Sequence, residues 1–280
     1  MSSVRGRLRF KVLSIALALI LGGGVVKTSG YIAFGSKAVL VDALTSVAAA
    51  LGGFIVLVTM RISLSPPDID HPYGHERIAY GGALGVLIAY SIAAGAAIVS
   101  IGPPEPYTID SRASITALIG TALYVAAIIL ARIDPVGGSV LAVFTWSEVF
   151  EGLVSAAAAY AGASLSYIID YVGGLAILAY LLASLYRESK GLTLKISDIT
   201  EKDVTIKVRK LLESRKFKVK SLRVRTIIPG RYAGDAIIIA PRGTSLEAAN
   251  ILVDEITEAL LKENIDLVVH IDLETAEQPA

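Results

Sequence analysis

Apolar runs long enough to cross a hydrocarbon core recur through the first two thirds of the chain, separated by short polar breaks. They predict spans near residues 11–34, 38–60, 78–101, 113–131, 140–161 and 168–186. The breaks are Gly35-Ser36-Lys37, Arg61–Arg77, Pro103–Arg112, Arg132–Ser139 and Ala163–Tyr167. After Gly191 the pattern shortens and becomes amphipathic. Thr200-Glu201-Lys202-Asp203 reads as a capping box opening a helix to about Arg215. Residues 217–228 and 235–241 read as two strands joined at Pro229-Gly230. Thr244-Ser245-Leu246-Glu247 opens a second helix to about Lys262, and Asp266–Leu273 is a third strand. The expected fold is therefore an α-helical membrane protein of six transmembrane helices, 1–189, followed by a small C-terminal α/β (αββαβ) cytoplasmic domain, 190–280.

The charges agree with that division. Of 26 basic and 25 acidic side chains, 22 lie in residues 1–189 and 29 in residues 190–280, a change of solvent within one chain. A 54% hydrophobic composition excludes disorder, and a net charge of +1 gives no support to nucleic-acid binding. With no cysteine, disulfides, zinc fingers, iron–sulfur clusters and thiol catalysis are excluded.

The basic start (Arg5, Arg7, Arg9, Lys11) followed by an apolar run imitates a signal peptide, but no cleavage pattern separates it from five further spans, so an uncleaved first helix is expected. Arg5, Arg7, Arg9, Lys11, Arg61, Arg77, Arg132, Arg187 and Lys190 fall on one side, against Lys37 and Arg112 on the other. The positive-inside rule then makes both termini cytoplasmic.

Ionisable groups inside spans are costly and point to function. The candidates are Lys27, Asp42, Glu148, Glu151 and, near a span end, Asp170. Glu148 and Glu151 are three apart on one helix face, and Asp42 shares a face with Thr45 and Ser46. Two oxygen-bearing faces at mid-membrane suit a divalent cation. The alternative is structural: Lys27 pairs with an acid and the set carries no ion. On the Arg61–Arg77 loop, Asp68, His71 and His75 form a compact trio in which a His-x3-His pair and a carboxylate can bind zinc or a similar ion; otherwise the histidines pack or cap the third helix. His270 and Asp272 alternate on the last strand and share a face. Nothing resembles a phosphate loop, a Ser-His-Asp set or a nucleotide fingerprint, and no enzyme is expected.

Gly35-Ser36-Lys37-Ala38-Val39-Leu40-Val41-Asp42-Ala43-Leu44-Thr45-Ser46 resembles the second-helix motif of cation diffusion facilitator transporters. His71-Pro72-Tyr73-Gly74-His75-Glu76-Arg77 resembles the same family's loop between helices two and three, and is the most specific signal in the chain. The resemblance covers residues 10–273. It implies a homodimer in the cell membrane that expels a divalent metal ion (manganese, zinc or iron) in exchange for protons. It also implies a tail with a ferredoxin-like metallochaperone fold and an accessory metal site at Asp68, His71 and His75. The family's four transport ligands fall on Thr45, Ala49, Ser147 and Glu151, with Leu141 and Ser155 as anchors, so only Glu151 keeps a carboxylate. Asp42 matches the family one turn from the usual ligands. Ala79 stands where the family often has Glu. His270 and Asp272 match the tail's ligand position, but Leu222–Val224 and Ile238–Ala240 replace the other expected tail histidines.

Three readings follow from this departure. The site is shifted by a turn to Asp42, Glu148 and Glu151, favouring manganese or magnesium-like ions; or the cargo is not a transition metal; or the protein no longer transports and acts as a metal-sensing or scaffold membrane protein. The shifted site is the leading expectation, because Glu148 and Glu151 are expensive to keep in a bilayer without use.

Overall fold

The computed structural model describes residues 2–72, 74–132, 146–197, 199–228, 230–241 and 243–272, with the side chains of residues 2–11 left aside. The Arg132–Ser139 break beyond residue 132, the start of the fifth span at 140–145 with its anchor Leu141, and Tyr73, Pro229 and Leu273 lie outside the described residues. The chain divides into two compact units, residues 1–192 and 193–280.

The first unit holds α1 (Ser2–Phe34), α2 (Lys37–Ser63), α3 (Ile78–Ile101), α4 (Arg112–Arg132), α5 (Trp146–Ser164) and all but the last turn of α6 (Tyr167–Ile196). Among the described residues, α1, α2, α3, α4 and α6 are long and apolar enough to cross a membrane. Their outward faces carry Ile32, Phe54, Ile92, Ile129 and Val172, all exposed, as expected where the surrounding solvent is lipid. α6 runs ten residues past the expected end at 186, through Arg187–Lys195. A change from apolar to charged residues alters the solvent a helix suits, while its backbone continues through good helix formers.

Inside, α2 packs against α1, α3 and α5, and α4 joins α1 to α5. Small residues permit this. A Cβ on Gly23 of α1 would sit 2.9 Å from the Gly120 carbonyl oxygen of α4, and one on Gly152 of α5 would sit 2.0 Å from Thr121 Oγ1. Without a hydrophobic force between helices in lipid, such close approach supplies the dispersion contact that holds a bundle. α6 is seated through Ile177, Leu178 and Leu181 against Val41, Ala94, Ala97 and Ile101.

One end of the bundle is fastened around Asp170. Gly35, at φ +80°, ends α1, and Ser36 caps α2 by accepting from the Val39 N–H at 3.1 Å. The fully buried Asp170 of α6 accepts from the Ser36 hydroxyl at 2.5 Å, the Lys37 N–H at 2.7 Å and the Tyr107 hydroxyl at 2.8 Å. A carboxylate at the first turn of α2 also matches that helix's positive end. The Lys37 ammonium donates to the Ile101 carbonyl and lies 4.9 Å from the centre of the Tyr107 ring. Burial and the Asp170 hydrogen bond push the Tyr107 phenol well above its ordinary value, so it stays a donor.

The second unit holds α7 (Lys202–Ser214), β1 (Lys218–Ile228), β2 (Arg231–Ile239), α8 (Leu246–Lys262) and β3 (Ile265–Asp272). The αββαβ order is as expected. The sheet runs β1-β2-β3, with β1 and β2 antiparallel and β2 and β3 parallel. Val208, Leu212, Ile256 and Leu260 from the helices meet Val224, Ala236, Ile238, Ile265 and Leu267 from the sheet to form the core. Helix capping differs from the expectation at one end. The N-cap of α7 is Glu201, which makes no side-chain cap bond, and Thr200 Oγ1 is buried without a partner. The Glu201 carboxylate accepts instead from the Tyr232 hydroxyl at 2.8 Å. α8 opens within Thr244–Glu247 as expected, and its N-cap is Ser245, which accepts from the Ala248 N–H at 3.2 Å.

Candidate metal sites

Four elements bring polar groups into the centre of the helical unit. On α2, Asp42, Thr45 and Ser46 lie on one face and are all buried. On α5, Glu148, Glu151 and Ser155 stack at helical spacing and are also buried. α1 contributes Lys27, 1% exposed, and α3 contributes Tyr90.

Asp42 is engaged at both oxygens. Lys27 Nζ donates to Oδ1 at 2.7 Å and the Ser155 hydroxyl donates to Oδ2 at 2.5 Å. Lys27 also donates to Ser46 Oγ at 3.1 Å. The expectation that Asp42 stands open beside the two glutamates as an ion ligand therefore meets a filled carboxylate. The reason is the ammonium, which reaches across from α1 and pairs with it.

The glutamates differ. Glu148 Oε1 accepts from the Tyr90 hydroxyl at 2.5 Å, whereas its Oε2 is buried without a hydrogen-bond partner. Glu151 Oε2 is likewise buried and unpartnered, and the Thr45 side chain faces this carboxyl. Thr45 itself donates to the Asp42 carbonyl oxygen at 2.9 Å. Ser147 is half-buried beside Glu148. Two carboxylate oxygens held in a bundle interior without a partner among the described residues are expensive, and a cation, a proton or a metal ion, is what would relieve them. Ala49, at the remaining family position, is buried and offers no ligand atom.

The loop trio is drawn together. One ligand atom each from Asp68, His71 and His75 lies within 4.8 Å of the others, the one such cluster of three His, Cys, Asp or Glu side chains among the described residues. Gly74, at φ +87°, turns the chain so that both imidazoles reach one carboxylate. The His71 N–H donates to Asp68 Oδ1 at 2.7 Å, and it is the first cause holding that carboxyl below its ordinary range. His75 Nδ1 meets the Pro66 carbonyl oxygen at 3.1 Å, which assigns its proton to Nδ1 and leaves the Nε2 lone pair 3.3 Å from Asp68 Oδ2. Two acceptors that close call for a cation between them, a proton or a metal ion. His71 Nδ1 lies 3.4 Å from Asp68 Oδ1.

In the tail, β3 places His270 opposite Ile237 and Asp272 opposite Ile239. Asp272 pairs with Lys220 at 2.8 Å, so its carboxylate already has a cation. His270 and Asp272 belong to no cluster of three candidate ligands among the described residues.

Residues 13–194 match the family model of the Cation efflux transmembrane domain. The chain belongs to the cation efflux family. Among curated relatives it is 41% identical over 66 residues to the manganese efflux system protein MneS of Bacillus subtilis (strain 168), covering 24% of this chain and 22% of that protein. It is 36% identical over 77 residues to metal tolerance protein C1 of Arabidopsis thaliana, covering 27% of this chain and 16% of that protein. It is 36% identical over 81 residues to the manganese efflux system protein MneP of Bacillus subtilis (strain 168), covering 28% and 26% respectively. The matches thus span about a quarter or less of each relative's own length. Membership makes this cation efflux protein an integral membrane protein, in keeping with its five apolar helices. The signal missed by the sequence reading is the choice of partner for Lys27: the residue was visible, but an apolar helix gives no clue to which acid it meets.

Proposed function

We propose that this protein exports a divalent metal cation across the cell membrane, and that the ion binds between α2 and α5 at Glu148 and Glu151. The observation that carries the reading is the pair of buried, unpartnered Oε2 atoms on those two residues, within the domain that defines the family. Thr45 and Ser147 complete an all-oxygen donor set, with water filling the remaining positions. Hard oxygen donors without imidazole or thiolate favour manganese over zinc. Manganese efflux is also what the names of two relatives state of those proteins.

The mechanism is alternating access by a homodimer. Both termini and the Asp68–His75 loop face the cytoplasm, following the basic flanks. The loop trio captures the ion there and delivers it to the bundle. Glu148 and Glu151 then hold it until protons from the opposite side replace it, since a protonated carboxyl loses its affinity for the ion. The helices rock about their small-residue contacts.

The test is ion uptake into proteoliposomes under an imposed proton gradient, comparing manganese, zinc, iron, cobalt and magnesium. Saturable manganese flux that disappears in Glu151→Gln is the expected result. Absence of flux for every ion above the leak of empty liposomes overturns the reading in favour of a non-transporting scaffold. The filled Asp42 carboxylate is the observation that favours that second reading.

A further inference from the structure

Lys27 is the buried cation that the transport scheme leaves unused. Its stem runs through a slot opened by Gly120 on α4, where a Cβ would come within 2.7 Å of both Lys27 Cγ and Cε. Its ammonium, with the side chain 2% exposed, meets Asp42 Oδ1 at 2.7 Å. Asp42 Oδ2 is closed by Ser155. The result is asymmetric: both oxygens of Asp42 accept from neighbours, one of them a cation, while Glu148 and Glu151 each keep an oxygen without a partner among the described residues.

The charged and polar groups facing this centre are Lys27 from α1, Asp42, Thr45 and Ser46 from α2, and Tyr90 from α3. α4 adds Tyr124, and α5 adds Glu148, Glu151 and Ser155. With its acids ionised, one ammonium stands against three carboxylates. The formal charge is then −2, which a single divalent cation neutralises.

We propose that Lys27 is a tethered counter-cation: it holds Asp42 permanently, removes that carboxylate from the ligand set and fixes the site at the charge of one divalent ion. This rests on the reading that Glu148 and Glu151 hold the transported ion. Lys27 is a positioning residue that acts through Asp42 and through its field on the two glutamates. Three free carboxylates would bind a divalent ion more tightly and release it more slowly. In a low-dielectric interior a unit charge a few ångströms away weighs heavily on that balance. A merely structural ion pair makes no such demand: it predicts that a folded Lys27→Met protein holds the ion no more tightly than the wild type.

Equilibrium binding of Mn2+ to the detergent-solubilised full chain tests the proposal, counting only the component abolished by Glu151→Gln so that the loop trio is excluded. Lys27→Met is expected to tighten that component by at least about tenfold and to slow flux. Asp42→Asn, which leaves the ammonium unopposed by its own partner, is expected to weaken it by at least about tenfold. The double variant Lys27→Met/Asp42→Asn restores the formal charge and is expected to return affinity to within about threefold of the wild type. A folded Lys27→Met protein with unchanged or weaker affinity overturns the proposal. If that variant does not fold, a double variant binding no better than Asp42→Asn overturns it equally. Binding and flux that survive Glu151→Gln instead overturn the reading of the glutamate site, a different result from failure of the lysine variants.

Discussion

Asp170 shows how much one buried carboxylate can fasten. Three donors from two other segments converge on it, and only the Tyr107 hydroxyl also reaches a second acceptor, the Tyr167 carbonyl oxygen at 3.3 Å. Asp170→Ala strands those donors and is expected to lower stability by about 2–4 kcal/mol, read as a fall in the thermal unfolding midpoint in detergent. Asp170→Asn keeps the shape and is expected to fall less. Asp110, on the loop before α4, works at the surface. Hydrogen bonds from the Arg112 guanidinium hold its carboxyl at about 2, against an ordinary value of 3.8. A depressed carboxylate contributes stability above the ordinary value and loses it as pH falls through the depressed one. Asp110→Asn is therefore expected to melt slightly below the wild type at pH 7, with the gap narrowing from about pH 4 and closing below about pH 2; a gap as wide at pH 2 as at pH 7 contradicts this. At this scale the sequence was informative about identity and silent about pairing. Glu148 and Glu151 were legible because three-residue spacing alone puts them on one face. The grip of Lys27 on Asp42 was not, because it joins two helices whose apolar surfaces give no rotational register.

Between elements, backbone approach decides which glycines matter. A Cβ at Gly23 meets a carbonyl oxygen that cannot swing aside, so Gly23→Ala must part α1 from α4. It is expected to cost about 1–3 kcal/mol, whereas Gly95→Ala, with nothing within 4 Å, is expected to be neutral or slightly stabilising. Thermal midpoints of the two variants in the same detergent check the contrast. The tail offers a parallel pair. Ser245→Ala removes a working cap and is expected to cost about 1 kcal/mol, measured as faster amide exchange in the first turn of α8. Thr200→Ala is expected to leave exchange in α7 unchanged, because its hydroxyl bonds to nothing. That contrast explains where reading the tail succeeded. Both sequences carry a capping pattern, but only one is realised: α7 has Glu201 rather than Thr200 at its N-cap, and the Glu201 carboxylate accepts from Tyr232 of β2 rather than from the helix. β2 similarly starts at Arg231, ahead of the expected 235, because Tyr232, Ala233 and Gly234 pair with Thr226, Arg225 and Val224. Backbone pairing carries a hairpin through residues whose side chains do not alternate.

Across the whole molecule, the six-helix body and αββαβ tail followed from apolar run length and charge density, quantities that survive without tertiary information. The division of labour between the loop trio and the glutamates did not, and kinetics can separate them. Asp68, His71 and His75 are assembled on a loop in which His71 and Asp68 are exposed, with ligand atoms close enough for one ion. A capture site acts before the ion is committed to the bundle, so its loss weakens uptake at low concentration and leaves the slow conformational step untouched. His71→Ala/His75→Ala is therefore expected to raise KM for manganese several-fold with the maximal flux nearly preserved. On the proposed reading Glu151→Gln removes the group that holds the ion during the crossing, and the maximal flux should vanish at any concentration. Initial rates in proteoliposomes over a wide range of manganese concentrations distinguish the two. If the histidine variant instead loses maximal flux while KM stays fixed, the loop takes part in the conformational change itself. The order of events, capture on the loop and then occupancy between α2 and α5, would then be wrong.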